Sequence, residues 1–143
     1  MNESEDRFDR GAGNVQELRL ALTVQDFEAA VALYRDALGL QEIESWEGEG
    51  EDARIVILDA GRATLELLNE PQAEAIDRIE VGRRVAGPVR IALKVRNSEA
   101  TAERLIQAGA EQVAQPVTTP WNDRNVRVRA PDGMQLTLFS TLE

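Results

Sequence analysis

The chain writes one stretch twice, and that repetition constrains its fold more than any other feature. RLALTVQDFEA at 19–29 returns as RIALKVRNSEA at 90–100, an offset of 71 residues in which Arg, Ala, Leu, Val, Glu and Ala recur identically. Leu20 is answered by Ile91 and the turn residue Asp26 by Asn97. Holding the offset, Ile55-Val56-Ile57 falls on Val126-Arg127-Val128, and Leu65-Glu66-Leu67 on Leu136-Thr137-Leu138. Copies of about 50 residues are too long for a solenoid unit and suit a duplicated supersecondary motif.

Each copy reads as strand, helix, then three strands. Over 18–24 apolar residues alternate, which places Leu18, Leu20, Leu22 and Val24 on a helix-facing side and Arg19, Ala21 and Thr23 on the other. Asp26 opens a helix by accepting from free first-turn amides. Phe27, Ala30, Val31, Tyr34 and Leu38 give it an inward stripe, with Tyr34 in the core, and Gly39 stands where a left-handed cap ends a helix. Strands follow at 40–46, 54–58 and 63–68, and alternation turns Leu65 and Leu67 toward the helix and Thr64, Glu66 and Leu68 away. The acidic loop 47–52 between them reads as solvated surface.

The second copy repeats this order. A strand at 89–95 turns Ile91, Leu93 and Val95 to its helix and Arg90, Ala92 and Lys94 away. Asn97 or Ser98 caps the helix and Gly109 ends it. A strand at 111–117 is broken by Pro116, and strands at 125–129 and 134–139 flank a Pro131-Asp132-Gly133 turn. The expected class is α+β, with tandem βαβββ modules at 16–70 and 89–143 in one domain. Residues 71–88 connect them and include a short helix at 73–81. Residues 1–15 read as a disordered leader or, alternatively, as a tail folding over a site.

Composition removes several functions. The chain has no Cys and no His, so disulfides and thiolate sites are impossible, and metal or general-base roles fall to carboxylates. Oxygen-bound manganese or magnesium stays open. A formal charge of −10 argues against nucleic acid as a partner. No apolar run approaches the roughly 20 residues of a membrane helix, and no basic-then-apolar signal opens the chain. The expectation is a cytoplasmic protein with no membrane partner.

The tandem modules, each opening strand, Asp or Asn, helix, Gly, resemble the vicinal oxygen chelate superfamily. The closing Pro-Trp-Asn-Asp-Arg and Ala-Pro-Asp-Gly-Met-Gln-Leu-Thr-Leu segments of 120–138 carry the same resemblance. Glyoxalases, extradiol dioxygenases and the bleomycin, mitomycin and fosfomycin resistance proteins belong to that superfamily. The resemblance implies a curved mixed sheet forming a cup, helices on its outer face, a small-molecule ligand and a homodimer, domain-swapped or not. It also implies four floor positions, which hold a divalent metal in the enzymes. These fall on Arg19, Glu66, Arg90 and Thr137, of which only Glu66 conforms to the family's ligand types.

A guanidinium is a donor without a lone pair and permanently charged, so Arg19 and Arg90 cannot coordinate a cation. The expected reading is therefore metal-free and cofactor-free binding. Arg19 and Arg90, with Arg127 as a third guanidinium, either clamp an anionic or carbonyl-bearing ligand or form an ion network with Glu66. Trp46 and Trp121 either stack on a planar ligand, as in the antibiotic resistance branch, or plug a gap between subunits. The competing reading is a lyase or isomerase with Glu66 as general base and an arginine stabilising an oxyanion. The lack of a second carboxylate at Thr137 favours binding.

Overall fold

The computed structural model describes residues 14–142, so residues 1–13 of the expected leader lie outside the described residues. The first module is β1 (Val15–Thr23), α1 (Phe27–Val31, continued by a π-helix over Ala32–Ala37), β2 (Gln41–Trp46), β3 (Ile55–Asp59) and β4 (Thr64–Leu68). After α2 (Glu70–Glu80) come β5 (Val89–Val95), α3 (Ser98–Gln107), β6 (Glu111–Gln112), β7 (Val117–Thr118), β8 (Asp123–Arg129) and β9 (Gln135–Thr141). The strands form one sheet of order β2-β3-β4-β1-β5-β9-β8-β6, with β7 also on β8.

The repeat survives in the register. β1 runs parallel to β4 with Leu20 opposite Leu65 and Ala21 opposite Glu66. β5 runs parallel to β9 with Ile91 opposite Leu136 and Ala92 opposite Thr137. β1 and β5 join the modules as an antiparallel pair. The third strands depart from the 71-residue frame by one. Ile57 opposes Glu66, whereas Arg127 opposes Thr137, so Arg127 occupies the position of Ile57 and Val126 that of Val56.

The module helices α1 and α3 cover the outer face as expected. Asp26 accepts from the Ala29 amide and Asn97 from the Ala100 amide, each satisfying one free donor of a first turn. Under α1, Val31, Val56, Leu58, Leu65 and Leu67 form one core, with Phe27 and Tyr34 packed against it. Under α3, Val95, Ala102, Val126, Val128 and Leu138 form the second. Gly39, at φ +90, ends α1 in the left-handed region.

Several expectations are corrected. Leu38 is 65% exposed, because the π-winding, with the Leu38 amide donating to the Leu33 carbonyl at 2.9 Å, rotates it off the inward stripe. Leu18 and Leu20 are also exposed, lying on central strands between the two helices. The expected strand at 111–117 is two short strands, both paired with β8 and separated by the segment holding Pro116. The connecting helix starts at Glu70, where Asn69 caps it by accepting from the Gln72 amide at 3.1 Å and Pro71 fits the first turn. No described helix is long and apolar enough to cross a membrane.

Candidate ligand-binding cup

The inner face of the sheet and one side of α2 enclose a cavity of about 300 Å³. Register places its polar residues in rows. Thr64, Arg19, Ala92, Thr137 and Arg127 lie side by side across β4, β1, β5, β9 and β8. Ile57, Glu66, Ala21 and Arg90 form the adjoining row. Arg19, Glu66, Arg90, Thr137, Trp46 and Trp121 all line the cavity, and Arg127 does not.

Arg127 is the largest fully buried side chain of the described residues, at 0% exposure. It faces inward from β8, but α2 covers it. Its Nη1 donates to Asp77 Oδ1 at 2.8 Å and its Nε to Glu80 Oε1 at 3.2 Å, while Nη2 lies 3.0 Å from the same Glu80 oxygen without bonding geometry. The expected third guanidinium of the cup is instead the anchor holding the connecting helix across the sheet.

That helix brings a carboxylate which the four floor positions do not include. Glu80 Oε1 accepts from the Thr137 hydroxyl at 2.8 Å, and Oε2 accepts from Asn125 Nδ2 at 3.1 Å. Thr137 in turn accepts from Arg90 at 3.0 Å and from Arg127 at 3.1 Å. The acid missing at Thr137 therefore arrives from α2, already accepting from Thr137, Arg127 and Asn125. Gln72, Ile76 and Glu80 line the cup, and their i, i+4, i+8 spacing is the sequence signal for one inward helix face.

The charges alternate from floor to surface: Glu66, Arg90, Glu80, Arg127, Asp77, Arg84, Glu70. Asp77 illustrates the balance. Burial pushes its carboxyl up, but the Ala86 amide, the Arg127 charge and the Val85 amide together hold it below the ordinary value. Glu66 is the weak link. Its contact with Arg90 is 3.5 Å, and burial pushes its carboxyl up against the attraction of Arg90 and Arg19. Arg19 is held by Glu17 at 2.8 Å and lies over the Phe139 ring at 5.5 Å.

At the rim Trp46 is 38% and Trp121 37% exposed. Asp123, beside Lys94 and bonded to the Trp121 side chain, is raised by burial. The acidic loop is less loose than its charge suggests. The Glu49 amide donates to Gln72 Oε1 at 2.7 Å and Asn69 Nδ2 to the Asp52 carbonyl at 2.7 Å, so α2 pins its backbone while the acid side chains stay exposed.

The floor does not fit a metal ion. Arg90 points a permanent positive charge at Glu66, and among the described residues no three acidic side chains cluster so as to hold a cation.

Two βαβββ modules joined through their first strands, with a cup on the inner face and α1 and α3 outside, define a paired-module domain. The chain belongs to the glyoxalase/bleomycin resistance protein/dioxygenase superfamily, whose model matches residues 18–138. Solved structures share the fold. Methylmalonyl-CoA epimerase from Mycobacterium tuberculosis is 20% identical over 96% of both chains, with a TM-score of 0.65. A Streptomyces coelicolor methylmalonyl-CoA epimerase in complex with 2-nitronate-propionyl-CoA is 20% identical over 90% of this chain and 96% of that one, with a TM-score of 0.62. A superfamily member from Vibrio splendidus 12B01 is 13% identical over 87% and 97%, with a TM-score of 0.59. No curated protein matches the chain in sequence.

Proposed function

We propose that the chain is a metal-independent binding protein, acting as a homodimer, whose cup takes up a planar, uncharged or cationic small molecule. The carrying observation is that carboxylates outnumber cations along the cup, Glu17, Glu44, Glu66, Glu80 and Asp123 against Arg19, Arg90 and Lys94, and that each cup guanidinium already faces a carboxylate. Arg19 is bound by Glu17, Arg90 by Thr137 and Glu66, and Arg127 lies under α2. Glu44 on the rim forms no ion pair among the described residues, and Glu66 has one long contact. A cavity with two Trp faces and surplus carboxylate favours a flat cation through stacking and cation–π attraction. Its volume suits a compact ring system.

Tryptophan fluorescence tests this with two dyes, the planar cation proflavine and the planar anion anthraquinone sulfonate. Saturable quenching by proflavine alone is expected, and it weakens in Trp121→Ala. Tighter binding of the anion overturns the reading.

A second reading, a lyase or isomerase with Glu66 as general base facing Arg90, draws support from the raised Glu66 carboxyl. Against it, Glu80, the second carboxylate of the network, already accepts from Thr137, Arg127 and Asn125, so its hydrogen bonding is committed largely to the protein. Deuterium uptake from solvent into methylmalonyl-CoA, above background and abolished by Glu66→Gln, establishes the second reading.

A further inference from the structure

Of the 16 Lys and Arg residues in the chain, Lys94 alone is a lysine. With no Cys and no His, it is also the one side chain of amine, imidazole or thiol type in the sequence. A guanidinium keeps its proton, whereas an ammonium can give one up and expose a nucleophilic lone pair. The repeat does not account for the choice. Arg19 is answered by Arg90 at the offset of 71, but Lys94 answers Thr23.

Position brings that amine to the cup. β5 turns Arg90, Ala92 and Lys94 to the inner face, and all three line the cavity. Lys94 is half-buried and stands opposite Glu17 on β1 and Phe139 on β9. Arg19 and Arg90 are each paired, but the Lys94 ammonium takes part in no hydrogen bond or ion pair among the described residues. The Glu17 carboxylate opposite is already taken by Arg19 and Thr64. Asp123 on β8 lines the same cavity, and burial raises its carboxyl against the attraction of Lys94. A carboxyl of that kind can take a proton and return it. With Phe139 and Trp121 also lining the cavity, an amine, a proton carrier and aromatic rings face one space.

We propose that Lys94 captures a planar aromatic aldehyde in the cup as a reversible imine. This deepens the planar-ligand reading and rests on the cup admitting an uncharged ring. The Lys94 ammonium passes one proton to Asp123, and the freed lone pair forms the C–N bond to the aldehyde carbon. The carbonyl oxygen takes a second proton from that nitrogen. Asp123 returns its proton to the resulting hydroxyl, which leaves as water while the nitrogen lone pair closes the C=N bond. The iminium keeps the third ammonium proton, and nothing is oxidised or reduced. A ring held against the aromatic wall keeps its carbonyl beside the amine, so the addition proceeds as if within one molecule.

The probe is 2-naphthaldehyde, with sodium cyanoborohydride to reduce the imine to a stable secondary amine. Peptide mapping by mass spectrometry separates Lys94 from the terminal amino group. Lys94 is expected to be labelled about tenfold faster in the folded chain than in the chain unfolded by guanidinium chloride, because the cup holds the aldehyde at the amine. Excess 2-naphthalenemethanol, which has the same ring and no carbonyl, removes that advantage. By tryptophan quenching the aldehyde binds the unmodified chain about tenfold more tightly than the alcohol, and the two bind alike in Lys94→Arg, which keeps the charge. Labelling no faster in the folded chain, with proflavine still bound, overturns the imine and leaves the planar-ligand cup standing; if proflavine also fails, both fall. Fast labelling that the alcohol does not slow places the reaction outside the cup and overturns the proposal. Fast, alcohol-sensitive labelling in a chain that does not bind proflavine establishes the imine and sinks only the cup's preference for a cation. The labelling of the unmodified chain decides the matter even if the variant does not fold.

Discussion

Glu66 and Asp77 are buried carboxylates of one ion network whose proton affinities move in opposite directions. Asp77 receives two backbone amides and two guanidiniums, Arg127 and Arg84. Glu66 receives one distant guanidinium. A carboxyl held below its ordinary value has lost its proton in the folded chain where the unfolded chain still binds one, so its contribution is full above the ordinary carboxylate range and is lost as the pH falls through it. A raised carboxyl does the reverse, and stability falls as the pH climbs from the ordinary range through the folded value. Asp77→Asn therefore costs about 3 kcal/mol at neutral pH by leaving Arg127 short of a partner in a dry site, and the cost shrinks on acidification. Glu66→Gln should gain stability at neutral pH and gain nothing near the ordinary carboxylate range. Denaturant titrations of both variants at neutral and acidic pH measure this; a loss of stability in Glu66→Gln at neutral pH would mean that Arg90 needs the charge more than burial penalises it.

At the scale of elements, α2 turns two half-cups into one cavity, and its hold on the 47–52 loop depends on Gly48. That residue has φ +88, and a Cβ there would stand 2.3 Å from Gln72 Oε1 and 2.9 Å from Ala53 Cβ. Gly48→Ala is expected to cost about 2 kcal/mol through backbone strain and lost contact, and to expose the loop to proteolysis ahead of the rest of the chain. Limited proteolysis followed by mass mapping reads this, and an uncut loop would show that Gln72 is not its anchor. The strands, caps and turns were legible in the sequence because period, cap and turn chemistry are local: Asp26, Asn97 and the Pro131-Asp132-Gly133 turn each act within four residues. The role of α2 was not. It has no counterpart in the repeat, and Gln72, Ile76 and Glu80 show an inward face only once a cup exists to receive it. The same blindness placed Arg127 in the cup. Alternation gave its direction correctly, but nothing local announces the helix that covers it. The third-strand match slipped by one residue because hydrophobic triplets align nearly as well in either frame.

At the scale of the molecule, one apolar surface left exposed among the described residues is the outer face of the two central strands. Leu18 opposes Leu93 and Leu20 opposes Ile91 across the β1–β5 pair; Leu93 packs on the second core, and Leu18 and Leu20 stay exposed with Ile91 half-buried beside them. Leu18 is 42% and Leu20 37% exposed. The modules are related by the repeat and their first strands are antiparallel, so the patch has an approximate internal two-fold. A surface that maps onto itself in this way suits an isologous contact with a second copy, where each newly covered leucine contributes about 1 kcal/mol. The cup is formed by the two modules of one chain, through β1 and β5, so a contact between copies through this patch would leave the proposed ligand site intact. Sedimentation should show a dimer for the unmodified chain and a monomer for the Leu18→Glu, Leu20→Glu double variant. Proflavine binding should persist in that monomer. A dimer that survives the double variant places the interface elsewhere, and a monomer that folds but no longer binds proflavine means that the partner copy completes the cup.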